Sequence, residues 1–252
     1  MHHHYDVNLD ILVPAYNTAL PAWQMLEANH SQDQVAVVNP ASGPGATANP
    51  DMLAQVQAAQ ASGISILGYI DTDYGAIDPA TVKAQIDAYN DWYGVDGIFF
   101  DRVAGDPAHL AYYQDLVNDV AAVTPGNDVT LNEGVYPDQS FVEGLHAGHN
   151  MQITHVAFEG SYDTYVNTAV PAWVENSNTT FADLVYAVPT AADMRTVVQL
   201  ASDHNSSYVY ATPDTLPNPW DTLASNNDGS VNYWSDLVDA VHPRSHLYHT
   251  ST

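Results

Sequence analysis

The chain has no cysteine, and its 252 residues include only 4 lysines and arginines against 30 aspartates and glutamates. Without cysteine, neither a disulfide framework nor a thiolate metal site can form. A formal net charge of -26 leaves no basic patch for nucleic acid or an anionic membrane, so we expect neither as a partner. There is also no apolar run long enough to predict a transmembrane helix.

The acidic residues are scattered along a chain that is 46% hydrophobic and contains 16 tyrosines. This composition predicts a folded domain rather than a disordered acidic chain. Few lysines beside many aspartates are typical of proteins from salt-loving organisms, so we expect a halophilic protein that weakens when salt no longer screens its surface charge. An acidic face that attracts a cationic ligand is the alternative explanation for the charge.

Residues 1–4 (Met-His-His-His) are predicted to be the remnant of a tag, and residues 5–252 to form one domain. No signal peptide is visible, but a cleaved one would leave no trace. A length near 250 residues suits a single α/β barrel.

Short β-rich apolar runs alternate with helical patterns along the chain, which predicts parallel strands joined by helices. The predicted strands are 10–16, 34–39, 64–71, 96–101, 128–133, 153–159, 184–189 and 208–212. The predicted helices are 51–61, 78–93, 106–123, a short one after Pro137, 162–174, 191–204 and 232–241. Eight such units predict a (β/α)₈ barrel of the TIM type, in the α/β class.

Acidic residues stand where several predicted strands end. Asp101 closes the fourth strand, Glu133 the fifth and Glu159 the sixth. The carboxyl ends of barrel strands carry the active site, and glycosidases need two carboxyl groups, one as acid and one as nucleophile or base. Structural roles remain open as alternatives to catalysis. Asp101 could cap a helix or pair with Arg102, and Glu159 could cap a helix.

Several histidines have spacings that resemble metal sites. His146 and His149 form an H-x-x-H pair, and His242, His246 and His249 lie near the C-terminus. Neither group has the glutamate that accompanies the histidines on a zinc-protease helix. We therefore expect solvent-facing histidines, with no metal and no cofactor.

Five segments stand out along the chain: 13–16 (VPAY), 38–45 (VNPASGPG), 67–75 (LGYIDTDYG), 92–101 (WYGVDGIFFD) and 158–165 (FEGSYDTY). Together and in this order they resemble the spherulin-4 family, which is glycoside hydrolase family 135. The resemblance implies a secreted (β/α)₈ barrel that cleaves α-1,4-linked galactosamine or N-acetylgalactosamine polymers in exopolysaccharide.

The resemblance also implies catalytic carboxylates at Asp101, at the next position and at Glu159. Arg102 stands at that next position, where it would either lower the pKa of Asp101 or contact an anionic sugar. Glu133 is then predicted to supply the missing acid from the neighbouring strand. The residues predicted to bind substrate are Tyr16, Asn39, Asp71, Tyr74, Arg102, Asn132 and Tyr162.

Two further interpretations remain open at this point. The arginine at position 102 motivates a carbohydrate-binding barrel without catalysis, and a structural matrix protein is the third possibility. Both the hydrolase and the carbohydrate-binding interpretation predict a polysaccharide as the partner. An acidic groove would attract a cationic polysaccharide most strongly.

Overall fold

The computed structural model describes residues 7–16 and 20–242, and its eight strands form one closed parallel barrel in the order β1 to β8. The predicted (β/α)₈ architecture is therefore confirmed. The strands are β1 Asp10–Val13, β2 Val35–Val38, β3 Ser65–Asp71, β4 Gly97–Asp101, β5 Asp128–Asn132, β6 Gln152–Ser161, β7 Thr180–Tyr186 and β8 Tyr208–Ala211. The helices are α1 Leu20–Ala28, α2 Pro50–Ala61, α3 Pro79–Tyr93, α4 Leu110–Val123, α5 Gln139–His146, α6 Tyr162–Tyr165, α7 Ala191–Asp203 and α8 Trp234–Val241.

Local capping signals set the ends of the outer helices. The Asn49 side chain accepts hydrogen bonds from the first backbone N–H groups of α2, and Asp78 caps α3 in the same way ahead of Pro79. Helix α3 stops at Gly94, whose φ of 57° is the left-handed conformation that glycine adopts without strain. These signals explain why both helices match the sequence prediction closely.

Several elements differ from the prediction. Helix α1 was not predicted, β7 begins four residues earlier than expected, and the helix predicted at 162–174 ends at Tyr165. Buried Asp183 interrupts the apolar pattern of β7, and the residues before it were therefore not predicted as strand. Pro171 lies within the segment predicted as a helix, and only a 3₁₀ turn, Ala172–Val174, follows it.

The strands alternate between an inner face and an outer face packed against helices. At the amino-terminal end of the barrel, Asp128, Thr130 and Thr154 line a shared internal hollow. Gly97 faces the same interior, where a Cβ atom would lie 1.8 Å from the Asp128 carbonyl oxygen. The parity of β5 therefore places Asn132 inside the barrel, two residues beyond Thr130.

The predicted tag remnant, His246 and His249 lie outside the described residues. Within 7–16 and 20–242, no helix has the combination of length and apolar character that a membrane span needs.

Candidate active site

Asp101 ends β4 at the carboxyl end of the barrel, where two side chains from neighbouring strands hold its carboxylate. The phenol of Tyr69 donates to Oδ2 at 2.7 Å, and the Asn132 amide donates to Oδ1 at 2.9 Å. Hydrogen bonds to a carboxylate are stronger than those between neutral groups. Both oxygens of Asp101 are thus fixed in one orientation.

Glu159 reaches the same mouth because β6 contains a β-bulge. The pairing of β6 with β7 slips between Val156 and Phe158, so that Phe158 pairs with Asp183 and Glu159 with Leu184. Without the extra residue, strict alternation from inward-facing Val156 would place Glu159 on the outer face. Bulges commonly re-aim a side chain beside an active site in this way.

Burial of Glu159 among protein groups raises its pKa from 4.5 to about 7, with the negative charge of Asp101 as the second cause. The side-chain amide of Asn132 opposes this rise. Glu159 nevertheless has an exposed surface, so solvent and ligands reach it from the mouth. The site therefore contains two neighbouring carboxyl groups, and the one on Glu159 has a raised pKa.

Asn132 lies between the two carboxyl groups and is 4% exposed. Its Oδ1 atom is buried and has no hydrogen-bond partner among the described residues. Unsatisfied buried acceptors are costly and are rare outside functional sites. Asn132 thus orients Asp101, and its role in substrate binding stays a prediction.

Two tyrosines complete the floor of the mouth. Tyr16 packs edge-on against Tyr69, with 5.4 Å between ring centroids. Burial raises the pKa of Tyr16, and the charges of Asp101 and Glu159 add to this effect. Tyr69 was not among the predicted site residues, but it precedes Asp71 by two positions on β3 and so shares its face.

The prediction that Glu133 acts as an assistant acid in the mouth is wrong. Glu133 follows inward-facing Asn132, so its side chain lies on the outer side of the barrel wall. There it is 1% exposed and its Oε1 lies 2.5 Å from Nδ1 of His155. A carboxyl group sealed between strand and helix has no access to substrate.

Arg102 does not pair with Asp101 either. Its guanidinium holds Asp71 through two hydrogen bonds, one of 2.8 Å from Nε to Oδ1, and contacts Asp73 at 3.0 Å. Although burial raises the pKa of Asp71, the hydrogen bonds from Arg102 and from the Asp73 backbone hold it below its usual value. The cation is therefore neutralised by two carboxylates and is not a free site for an anionic sugar.

The Arg102 clamp supports an exposed tyrosine on the rim. The guanidinium lies 5.8 Å from the ring centroid of Tyr74, which is 55% exposed, and the Tyr74 N–H donates to the Arg102 carbonyl at 2.7 Å. Asp73, Tyr74 and Arg102 all have positive φ angles of 44–55°. Left-handed conformations in non-glycine residues are strained, and such strain clusters at binding sites.

Asn39 and Tyr162 lie at strand ends as predicted, but their polar atoms serve other contacts. Asn39 Oδ1 accepts the Gly43 N–H at 2.7 Å and shapes the loop after β2. The hydroxyl of Tyr162 lies 3.3 Å from Asp193 at the start of α7. Neither polar group contacts the carboxylate pair.

We expected His146 and His242 to face solvent, but both side chains contact other side chains. His146 is half-buried and its Nε2 lies 3.2 Å from Nε2 of His155, while His242 lies 3.1 Å from Asp10. No group of three or more His, Cys, Asp or Glu side chains is arranged for a metal ion in the described part of the chain.

The closed parallel barrel and the carboxyl groups at its strand ends define the class: a (β/α)₈ barrel protein with an acidic mouth. The model of the spherulation-specific family 4, Spherulin4, matches residues 10–241, and the chain belongs to this family.

Spherulin-4 from Physarum polycephalum is 33% identical over 140 residues, which are 53% of this chain. The match spans 42% of that relative's length. The crystal structure of Aspergillus clavatus Sph3 in complex with GalNAc is similar in fold, with a TM-score of 0.76 and 23% identity. That match covers 94% of this chain and 98% of the other.

Proposed function

We propose that this protein is a glycoside hydrolase that cleaves α-1,4-linked polysaccharides of galactosamine or N-acetylgalactosamine. One observation carries the proposal: Asp101 and Glu159 face one mouth, and burial with the Asp101 charge raises the pKa of Glu159 to about 7. A glycosidase needs two carboxyl groups, one as acid and one as nucleophile or base, and a raised pKa suits Glu159 to the role of the acid.

Glu159 is the proton donor in this mechanism. It transfers its proton to the glycosidic oxygen as the bond from that oxygen to the anomeric carbon breaks, and the bonding electrons leave with the oxygen. Asp101, whose two carboxyl oxygens accept hydrogen bonds from Tyr69 and Asn132, faces the positive charge that develops on the sugar. Water then adds to the anomeric carbon and returns a proton to the Glu159 carboxylate.

The substrate class is supported by two features of different kind. The similar Sph3 structure holds GalNAc, a monosaccharide of the proposed polymer. The net charge of -26, together with a mouth of carboxyl groups, favours a partly deacetylated and therefore cationic chain. We propose that the protein acts outside the cell, where such polymers form matrices.

A carbohydrate-binding barrel without hydrolysis is the second candidate. It is favoured by Arg102, which is fixed on Asp71 and Asp73 beside Asp101 and leaves two rather than three carboxyl groups in the mouth. Against it, Asp101 is free of Arg102, and two carboxyl groups suffice for either stereochemical course of hydrolysis.

The deciding experiment incubates the protein in high salt with α-1,4-linked polymers that are acetylated, partly deacetylated or fully deacetylated. Release of reducing ends and retention on immobilised polymer are measured together. The proposal expects reducing ends with at least one polymer and none from Asp101→Asn. Retention without reducing ends in the native protein would establish the binding barrel instead.

A further inference from the structure

Glu133, His155 and His146 form a buried polar chain on the outer side of the barrel wall, behind the mouth. The Glu133 and His155 side chains are 1% and 0% exposed, with 2.5 Å between Oε1 and Nδ1. Nε2 of His155 then meets Nε2 of His146 on α5 at 3.2 Å. Phe141 and Phe181 pack edge-on or tilted against the His155 ring and exclude water.

The direction of hydrogen bonding in this chain depends on the histidine tautomers and on the charge of Glu133, whose pKa is raised by burial. With Glu133 ionised, Nδ1 of His155 is the donor, and Nε2 of His155 is left to accept from the Nε2–H of His146. The far end, His146, opens on a surface groove of about 500 Å³ that Trp173 also lines. The other oxygen of Glu133, Oε2, is buried without a partner among the described residues.

A buried carboxylate with one oxygen unsatisfied costs free energy, so its retention needs a compensating role. Nothing in the catalytic scheme uses Glu133 directly, because it faces away from the mouth. Its backbone, however, stands between Asn132, which holds Asp101, and Gly134. The Gly134 carbonyl accepts a hydrogen bond from the Glu159 N–H at 3.2 Å. The Gly134 N–H donates to the Val156 carbonyl at 3.0 Å, where the bulge begins.

We propose that Glu133 and His155 are positioning residues, which fix the end of β5 against β6 and so hold Asn132 between Asp101 and Glu159. His155 holds the Glu133 side chain on the outer side of the barrel wall. The backbone at Glu133 is thereby fixed, and it sets the orientation of the residues before and after it. The catalytic consequence rests on the proposed hydrolase function, whereas the placement of Asn132 beside Glu159 does not.

Two substitutions of His155 separate the roles of its nitrogens. Asparagine places an amide near the Nδ1 position and keeps a donor to Glu133, whereas glutamine places its amide near Nε2 and removes that donor. The first readout is the titration of the Glu159 carboxyl by ¹³C NMR, assigned by Glu159→Gln. The second is kcat and KM for polymer cleavage.

His155→Gln is expected to raise the Glu159 midpoint by about half a pH unit, since Asn132 no longer favours the ionised form. It is also expected to lower kcat about tenfold with KM within about twofold. His155→Asn is expected to stay near the native protein in both. If His155→Gln does not fold, Glu133→Met and Glu133→Gln replace the two His155 variants. Glutamine keeps an oxygen that accepts from His155 and methionine does not, so the Glu159 midpoint is expected to shift only in Glu133→Met.

Ser206→Ala is the matched control, because Ser206 donates at 2.8 Å to the buried carboxylate of Asp183 on β7 and has no hydrogen bond to Glu133, His155 or Asn132. It is expected to lower thermal stability without moving the Glu159 midpoint. A His155→Gln protein with the native midpoint and native kcat overturns the proposal. A shifted midpoint in a protein without hydrolase activity supports the positioning role and removes the hydrolase function alone.

Discussion

The Tyr69 hydroxyl donates a hydrogen bond of 2.7 Å to Oδ2 of Asp101, from the strand next to the one that Asp101 ends. Burial and the Asp101 charge both raise the pKa of this phenol, so it remains a donor throughout the working pH range. The pair links an inward position of β3 to the carboxylate that ends β4.

Replacing Tyr69 with phenylalanine should remove this donor and leave the ring packing in place. A hydrogen bond to a charged group contributes about 1.5–3 kcal/mol, so kcat/KM should fall about tenfold to hundredfold. Steady-state kinetics on the soluble polymer measures this. Tyr233→Phe, which removes a buried hydroxyl that donates to the Val188 carbonyl, is the control and should keep native kinetics. Equal kinetics for both variants would contradict the role of Tyr69.

Arg102→Ala should release Asp71 and Tyr74 together. The pKa of Asp71 should rise, because the hydrogen bonds that hold it low are lost. KM should rise several-fold and kcat should change less, because Tyr74 lies on the rim and not at the carboxylate pair. Lys83→Ala breaks an exposed ion pair with Asp115 on the outer helices and serves as the control. A native KM in the Arg102 variant would show that the clamp does not shape the site.

Glu159 should make stability depend on pH in a direction opposite to that of a salt-bridged acid. Its pKa is raised in the folded protein from 4.5 to about 7, so folding binds a proton in this range. The free energy of unfolding that this group contributes therefore falls as pH rises from about 4.5 to 7.

The melting temperature of Glu159→Gln, minus that of the native protein, should accordingly be larger at pH 8 than at pH 4. Other acids with raised pKa values, such as Asp128 and Asp183, are present in both proteins, so their contributions cancel in the difference. Tyr233→Phe, which changes no carboxyl group, should show a constant difference. A constant difference for Glu159→Gln would mean that its carboxyl group titrates normally.

The excess of 30 acidic over 4 basic residues should make the fold dependent on salt. Raising sodium chloride from about 0.1 M to about 1 M shortens the screening length from about 10 Å to about 3 Å. The melting temperature should rise by about 5 °C, the shift that about 2 kcal/mol produces in a chain of this size. Sucrose of equal osmolality should have a smaller effect, and a salt-independent melting temperature would contradict the halophilic interpretation.

The sequence predicted the barrel because the alternation of strands and helices needs only local patterns. It also placed Asp101 correctly, since an acid at the end of a buried strand can be read directly. Strand parity argues against Glu133 in the mouth, because Asn132 ends β5 and Glu133 follows it directly, so the two side chains cannot both face the mouth.

Other parts of the site depend on contacts between distant segments. The bulge near Ala157 is a property of the pairing between β6 and β7, and without it the parity of β6 would aim Glu159 outward. The partner of Arg102 is set by the loop after β3, where Asp73 and Tyr74 adopt left-handed conformations. Such conformations are uncommon in non-glycine residues and are not predicted from sequence patterns.

The most direct test of the catalytic pair is the rate of reducing-end release by Glu159→Gln relative to the native protein, in the same high-salt buffer. Glutamine keeps the size of the side chain but cannot donate the proton, so the rate should fall about a hundredfold or more, while polymer binding persists. Glu143→Gln should retain the native rate. A Glu159→Gln protein that cleaves the polymer at the native rate would contradict the assignment of the mouth as a hydrolytic site.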